Sequence, residues 1–312
     1  MFHENADRIK SLRGYGKTPP HPGWPGQARV ALSFVLNIEE GAEAHIDDGD
    51  AASEHINSDM ICGPWAGKRN LNMESHYEFG SRVGVWRLLD IFRQRNIPIT
   101  AFAVGQALLR VPDIARQLVA DGHEIAAHGW RWIDYRDVPP EIEADHMRRC
   151  IETITHLTGR APTGWYTGRV STVTRRLVIE DGSFSYDSDA YNDELPYWFA
   201  HENGHHLIIP YSFDTNDMRF ASAPGFDTGR AWLEYLCDTF DQLYEEGATQ
   251  PRMMSVGLHC RLAGRPGRAR ALVRFLDHVS KHPQVWVARR SDIADHWHKT
   301  MPPDQRQHEP QA

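Results

Sequence analysis

Short apolar runs alternate with longer amphipathic ones along most of the chain. Arg29–Asn37 is almost continuously apolar, the mark of a strand buried on both faces. Pro98–Val104, the stretch ending at Ile125-Ala126-Ala127, Leu207–Pro210, Met253–Leu258 and Val285–Val287 read as further short strands. Thr163–Arg169 reads as a strand and turn, and Phe184–Asp189 as a strand ending in acids. Between them the period changes. Val85, Leu88, Leu89 and Phe92 fall at i, i+3, i+4, i+7 and predict a helix from Ser81. Helices are likewise predicted over 112–121, from Pro139 to about Leu157, over 172–180, over 227–246, over 266–281 and from Ser291. In the long helix over 227–246, Trp232, Tyr235, Leu236, Phe240 and Leu243 share one face.

The β-α unit recurs about seven times with no change of composition between units. Buried strands alternating with helices predict an α/β fold with a parallel sheet. That many units in one domain predict an irregular (β/α)7-type barrel rather than an open sheet. Residues 1–28, rich in Pro, Gly and Arg, are expected to form an N-terminal arm whose aromatics pack on a surface, a neighbouring subunit being one choice. The barrel domain is expected over 29–300, with a polar, disordered tail over 301–312. The stretch 42–80 reads as a long irregular insertion, serving as a lid, a binding loop or an oligomer contact. Its Asp47-Asp48-Gly49-Asp50 cluster lacks the EF-hand spacing and is not assigned a calcium site.

Composition narrows the function. The chain has 312 residues, 41% hydrophobic and 24% charged, with a formal net charge of −8. That balance argues against nucleic acid or an anionic membrane as the main partner, since both reward clustered Lys and Arg. No apolar run approaches the roughly 18 residues a membrane span needs. The first residues show neither a basic n-region nor an apolar h-region, so a cytoplasmic protein is expected. The cysteines at 62, 150, 237 and 260 form no CxxC pair and are expected to be reduced thiols.

Chemistry gathers at strand ends. In a parallel α/β barrel the carboxyl ends of the strands converge on one face. Those ends carry Glu39 and Glu40, His128 followed by Trp130, Arg131 and Trp132, then Arg169, Asp187 with Asp189, and His259. Singly, each has a plain structural explanation: an acidic turn, a hydrogen-bonding histidine, a loop brace. Together they supply a carboxylate base, histidines and a cation, the equipment of a hydrolase. The pair at His205 and His206 reads as part of a loop, Asp134 as a partner of Arg131 or Arg136, and Arg265–Arg270 as a solvated or subunit-contacting face.

These residues also carry a resemblance. Glu39-Glu40, Gly122–Ile125 with His128, the Gly164–Arg169 turn and the His259 strand are similar, in order, to the motifs of the polysaccharide deacetylase (NodB-homology) superfamily. More narrowly, the segments Phe34–Gly41, His128–Tyr135, Gly164–Arg169, Tyr186–Trp198, Asp214–Phe220 and Ser255–Arg268 resemble the metal-independent, PuuE-type bacterial allantoinases of that superfamily. The resemblance implies a hydrolase acting on a non-peptide C–N bond of a cyclic amide, allantoin going to allantoate. It also implies a small-molecule substrate and a homo-oligomer such as a tetramer.

The chain departs from the deacetylase pattern at two places. Glu39-Glu40 replaces an Asp-Asp pair, and Trp132 stands where the second metal-binding histidine belongs. An indole N–H only donates and cannot ligate a cation. Glu40 and His128 remain as the two side chains able to reach a divalent ion, one short of a catalytic zinc set. No cofactor is therefore expected. As the resemblance implies, Glu39 is the general base and His259 the general acid. Glu40, His128, Trp130, Trp132, Arg169 and Asp187 are expected to line the substrate. A metal-dependent de-N-acetylase, or a hydrolase of another cyclic amide on the same scaffold, stands as the alternative.

Overall fold

The structure is a computed structural model that describes residues 12–303. The first residues of the arm, 1–11, and the end of the tail, 304–312, lie outside the described residues.

The long apolar run becomes β1 (Val30–Ile38), buried at every position. Around it stand β2 (Thr100–Ala103), β3 (Glu124–Ala127), β4 (Gly164–Trp165), β5 (Tyr186–Asp187), β6 (Tyr197–His201), β7 (Gly204–Ile208), β8 (Arg252–His259) and β9 (Val285–Val287). The strands form one sheet in the order β6-β7-β5-β4-β3-β2-β1-β8, with β9 also paired to β1. All pairs are parallel except the β6–β7 hairpin, which the sequence pattern did not reveal. The sheet curls into a half-barrel. Its two end strands, β6 and β8, do not pair with each other, so the barrel is open along one seam.

Helices cover the outer face, α1 (Leu71–Phe79), α2 (Val85–Arg93), α3 (Gly105–Arg110), α4 (Pro112–Ala120), α5 (Pro140–Thr158), α6 (Thr174–Asp181), α7 (Gly229–Glu246) and α8 (Pro266–Val279), and a further one, α9 (Arg290–Thr300), lies at the lower end. α1 lies inside the stretch expected to be irregular. Only Met73 and Tyr77 of its nine residues are buried, too thin a stripe to announce a helix, although Asn70 caps it through Met73 N–H at 3.2 Å. A π-helical turn, Gly80–Gly84, joins α1 to α2. No helix among the described residues is long and apolar enough to cross a membrane.

Strand alternation sorts side chains between two environments. Even residues of β1, such as Leu32, Phe34 and Leu36, join the large apolar cluster with α2, α7 and α8. Odd residues face the barrel interior, where Val35 packs with Phe102, Ala126, Tyr166 and Tyr211. Below that layer the lower end is closed by α9 and by Trp24 of the arm. The Trp24 indole packs on Trp286, His296 and Trp297 and donates to Arg252 O at 3.1 Å. The described part of the arm thus packs on its own barrel. The fully buried Arg290 crosses the interior and donates to Ser188 Oγ, Ser255 Oγ and the carbonyl of Pro210. The lower interior is filled, and the polar groups that remain open to chemistry sit at the upper ends of the strands.

Candidate active site

The alternation that places Val35 and Asn37 inside the barrel carries Glu39 inside as well, and turns Glu40 the other way. Asn37 sits beneath Glu39, donating to Tyr211 Oη at 3.2 Å and Leu258 O at 3.0 Å. Glu40 packs against the π-helical turn. A Cβ on Gly80 would come within 2.3 Å of Glu40 Oε1, so only glycine admits the carboxylate there. Both Glu40 oxygens are engaged by protein: Oε2 accepts from Glu39 N–H at 3.3 Å, and Oε1 accepts from Arg261 N–H at 3.1 Å and Arg261 Nη1 at 3.2 Å.

Glu39 is the meeting point of the site. Its Oε1 lies 3.4 Å from His128 Nε2 and 3.4 Å from His259 Nε2, and its Oε2 accepts from Arg261 Nη2 at 2.8 Å. All four residues are buried, at 0–4% exposure. His259 closes β8 beside β1, in register with Asn37. Behind it stands Asp217, whose Oδ1 accepts from His259 Nδ1 at 2.6 Å, while Oδ2 takes the backbone N–H of His259 and of Ala263, each at 2.8 Å. Asp217 thereby fixes both the ring and its strand end. His128 follows β3 and stacks on Tyr166, ring centroids 5.0 Å apart, and its Nδ1 is 2.9 Å from Tyr166 O. A carbonyl only accepts, so that nitrogen carries the proton and Nε2 is turned toward Glu39.

The electrostatics divide the roles. Burial opposes the charge on Glu39, but Arg261 and the His259 charge and hydrogen bond outweigh it and hold the carboxyl well below its usual range. Burial dominates at Glu40 and raises it, Glu39 adding repulsion and Arg261 opposing. Burial also works against the His259 imidazolium, yet the Glu39 and Asp217 charges and hydrogen bonds lift it to about 9. At neutral pH the site therefore holds an ionised carboxylate and a protonated imidazole within 3.4 Å of each other.

A buried guanidinium supplies the positive charge that both glutamates face. Arg261 is fully buried, lies 4.1 Å over the Tyr77 ring and 5.1 Å from the Trp132 ring, and donates through Nε to Asn57 O at 2.8 Å. A second guanidinium, that of Arg169, lies 3.6 Å over the Trp132 ring. Arg169 also reaches Glu54 Oε2 at 3.4 Å, tying the 42–80 stretch to the site. These residues do not suit a metal ion. Glu40 is spent on Arg261, Trp132 offers no lone pair, and Glu39, His128 and His259 are not, among the described residues, a group of three whose ligand atoms all lie within 4.8 Å of one another.

Four side chains expected around the substrate have other company. Asp187 points to the helix layer, because its neighbour Tyr186 takes the interior face and donates to Glu124 at 2.8 Å. Its carboxylate meets Arg175 of α6 at 3.1 Å and His206 of β7 at 3.3 Å, so His206 belongs to a strand rather than a loop. Trp130 also faces outward. A Cβ on Gly105 would meet its ring at 2.8 Å, and Arg149 of α5 lies 4.2 Å over it. Glu40 clamps Arg261, and Arg169 lies over Trp132, as described above. Glu39, His128 and His259 do converge. Sequence reasoning passed over Arg261 and Asp217, although both stand in quoted segments. Their signal was a charged residue two positions past His259, and an acid in a polar turn that only folding brings to the ring.

Comparison with known proteins agrees with this architecture. Residues 75–181 match the family model described as polysaccharide deacetylase. A protein of Schizosaccharomyces pombe, named as a polysaccharide deacetylase, is 39% identical over 306 residues, 92% of this chain and 96% of its own. A Pseudomonas aeruginosa structure named as a polysaccharide deacetylase superposes with a TM-score of 0.93 at 53% identity, covering 97% of this chain and 100% of its own. The crystal structure of PuuE allantoinase matches with the same TM-score of 0.93, 53% identity and the same 97% and 100% coverage.

Proposed function

The chain belongs to the polysaccharide deacetylase family, and we propose that it is a metal-independent allantoinase, opening the hydantoin ring of allantoin by hydrolysis to give allantoate. It is a hydrolase of the deacetylase and amidohydrolase kind. The allantoin reading draws on the 53% identity to PuuE allantoinase. Metal independence rests on one observation: Arg261 places a guanidinium between the two glutamates, 2.8 Å from Glu39 and 3.2 Å from Glu40.

In this reading Glu39, kept ionised, takes a proton from water, and the resulting hydroxide attacks a ring carbonyl. Electrons move onto the carbonyl oxygen, and nearby backbone N–H groups stabilise the developing charge, while His128 Nε2, its lone pair facing the site, accepts a hydrogen bond from substrate or water. His259, already an imidazolium held in place by Asp217, passes its Nε2 proton to the departing ring nitrogen as the C–N bond breaks. Glu39 then returns its proton to His259, closing the cycle. Arg261 is not consumed; it keeps Glu39 anionic and in position. Water and substrate enter between the Nε2 atoms of His128 and His259, displacing the direct contacts with Glu39.

The test is to strip the protein with a chelator, incubate it with allantoin and assay allantoate, with an N-acetylated oligosaccharide as the parallel substrate. Full turnover of allantoin after stripping supports the reading. Activity that is lost on stripping and restored by a divalent metal overturns it in favour of a metal-dependent deacetylase. Metal-free turnover of other cyclic amides in preference to allantoin would keep the mechanism and replace the substrate.

A further inference from the structure

On the outer layer, away from the strand ends, two histidines and an aspartate turn toward one point. His278 is on the last turn of α8, His282 follows that helix, and Asp241 is on the adjacent α7. Their ligand atoms all lie within 4.8 Å of one another, and among the described residues they are the one such group of three. We propose that Asp241, His278 and His282 form a binding site for a divalent transition-metal ion that clips α7 to the end of α8.

Three features make this more than a surface coincidence. The first is orientation. His282 Nδ1 lies 3.1 Å from the carbonyl of His278, which can only accept, so Nδ1 carries the proton and Nε2 keeps its lone pair. That Nε2 is 4.0 Å from Asp241 Oδ1, and His278 Nε2 is 2.7 Å from the same oxygen. A metal-bound histidine commonly donates its other N–H to a backbone carbonyl, which fixes tautomer and ring direction. His282 already has that arrangement.

The second feature is support. Phe240 meets the His278 and His282 rings edge-on at 5.8 and 5.1 Å, and Tyr244 meets His282 at 5.0 Å. The rings are thus placed by packing rather than left to wander in solvent. The third is access. The side chains of Asp241, His278 and His282 are 45%, 28% and 27% exposed, so an ion can enter and water can complete its coordination.

Two imidazoles and one carboxylate suit borderline first-row ions such as Zn2+, Co2+ or Ni2+ better than Mg2+ or Ca2+. Zn–N and Zn–O bonds of about 2.0–2.2 Å put neighbouring ligand atoms roughly 3.3 Å apart in a tetrahedron. The 2.7 Å pair must open slightly and the 4.0 Å pair must close. To bind, His278 must present the Nε2 lone pair in place of the proton that faces Asp241: a neutral ring then carries its proton on Nδ1, and an imidazolium gives one proton up to solvent.

The experiment uses the full chain, stripped with a chelator and dialysed, and titrated with Zn2+ by calorimetry. Co2+ absorption reports the ligand set, and thermal unfolding is followed in parallel. One ion per chain is expected, with a rise in Tm on the order of 4 °C at a hundredfold excess over Kd. His278→Ala and His282→Ala should each weaken binding about tenfold or more and remove the Tm rise, and Asp241→Asn should weaken it less. These side chains are part-exposed, so the variants should fold. Glu39→Gln should bind as the parent does. The proposal is overturned if the parent binds no stoichiometric ion, if the double variant His278→Ala/His282→Ala binds equally well, or if Glu39→Gln abolishes binding.

Discussion

Two acidic pairs end strands of the same sheet, the buried Glu39–Glu40 after β1 and Asp187–Asp189 at β5, whose second member is half-buried, and their electrostatics run in parallel. In each pair burial is the largest influence on every carboxyl, and in each one member is nonetheless held ionised by its partners. Arg261 and His259 hold Glu39 down, and His206 with Arg175 holds Asp187 down. In each, burial and the neighbouring charge push the other member up: Glu40 is raised, and Asp189 is raised to about 7. What separates them is the face of the sheet. Glu39 points into the barrel interior at the upper ends of the strands, toward the Nε2 atoms of two histidines. Asp187 points into the helix layer, and Asp189 is used up on the backbone N–H groups of Thr167 and Gly168 at 2.9 and 2.7 Å. A perturbed carboxyl marks an ion-pair network as readily as an active site, and geometry decides which it is.

Breaking the two poles one at a time tests this distinction. Glu39→Gln should lower kcat/KM for allantoin by about a thousandfold or more while leaving the circular dichroism spectrum intact. A variant within tenfold of the parent would remove Glu39 as the base. Arg261→Ala leaves two carboxylates buried without their cation and should cost about 3–5 kcal/mol in denaturant unfolding, together with most of the activity. The matching change at the other pole, Arg175→Ala, should cost less, because Arg175 is about one-third exposed and solvent replaces part of the pairing.

The pH profile sharpens the comparison further. The proposed mechanism needs Glu39 ionised and His259 protonated. The kcat/KM profile should therefore be flat through neutrality, fall on the alkaline side near pH 9, and fall on the acid side only below the usual carboxylate range. Asp217→Asn removes a charge that raises His259 and should move the alkaline limb to lower pH. The same group contributes to stability with a definite sign. Its folded value is raised above the ordinary 6.5, so its stabilisation is complete below that pH and is lost as pH rises through about 9. At the other pole, Asp187→Asn should cost about 1–3 kcal/mol of stability but change kcat less than about threefold. The smallest effect is expected for Trp130→Phe, which trims a ring between α3 and α5. It should cost about 1–2 kcal/mol and leave KM unchanged.

Much of the barrel was legible in the chain. The continuous apolar run at β1 and the 3.6-residue stripes of α2, α7 and α8 each determine an element from a dozen residues of local pattern. The parts that escaped lacked such a pattern. The β6–β7 hairpin has an intermediate to exposed outer strand, so nothing alternates cleanly. α1 buries two residues, and α3 is a six-residue helix after β2. In the site, Glu39, His128 and His259 could be picked out because each ends a recognisable strand. Asp217 could not, since it comes from a short 3-10 turn whose only distinction is the ring it meets in space.

The linear sequence determined the α/β alternation, the buried strands and the polar residues at their ends. These follow from residue type and local period, which need no knowledge of the rest of the chain. The tertiary structure decided which face each acid takes. A two-residue strand such as β5 carries no readable alternation, so only the position of Tyr186 in the interior sends Asp187 outward. It also decided that Arg261 lies between Glu39 and Glu40, more than 200 residues away along the chain. The parallel pairing of β1 with β8 brings them together, and no local pattern encodes that pairing.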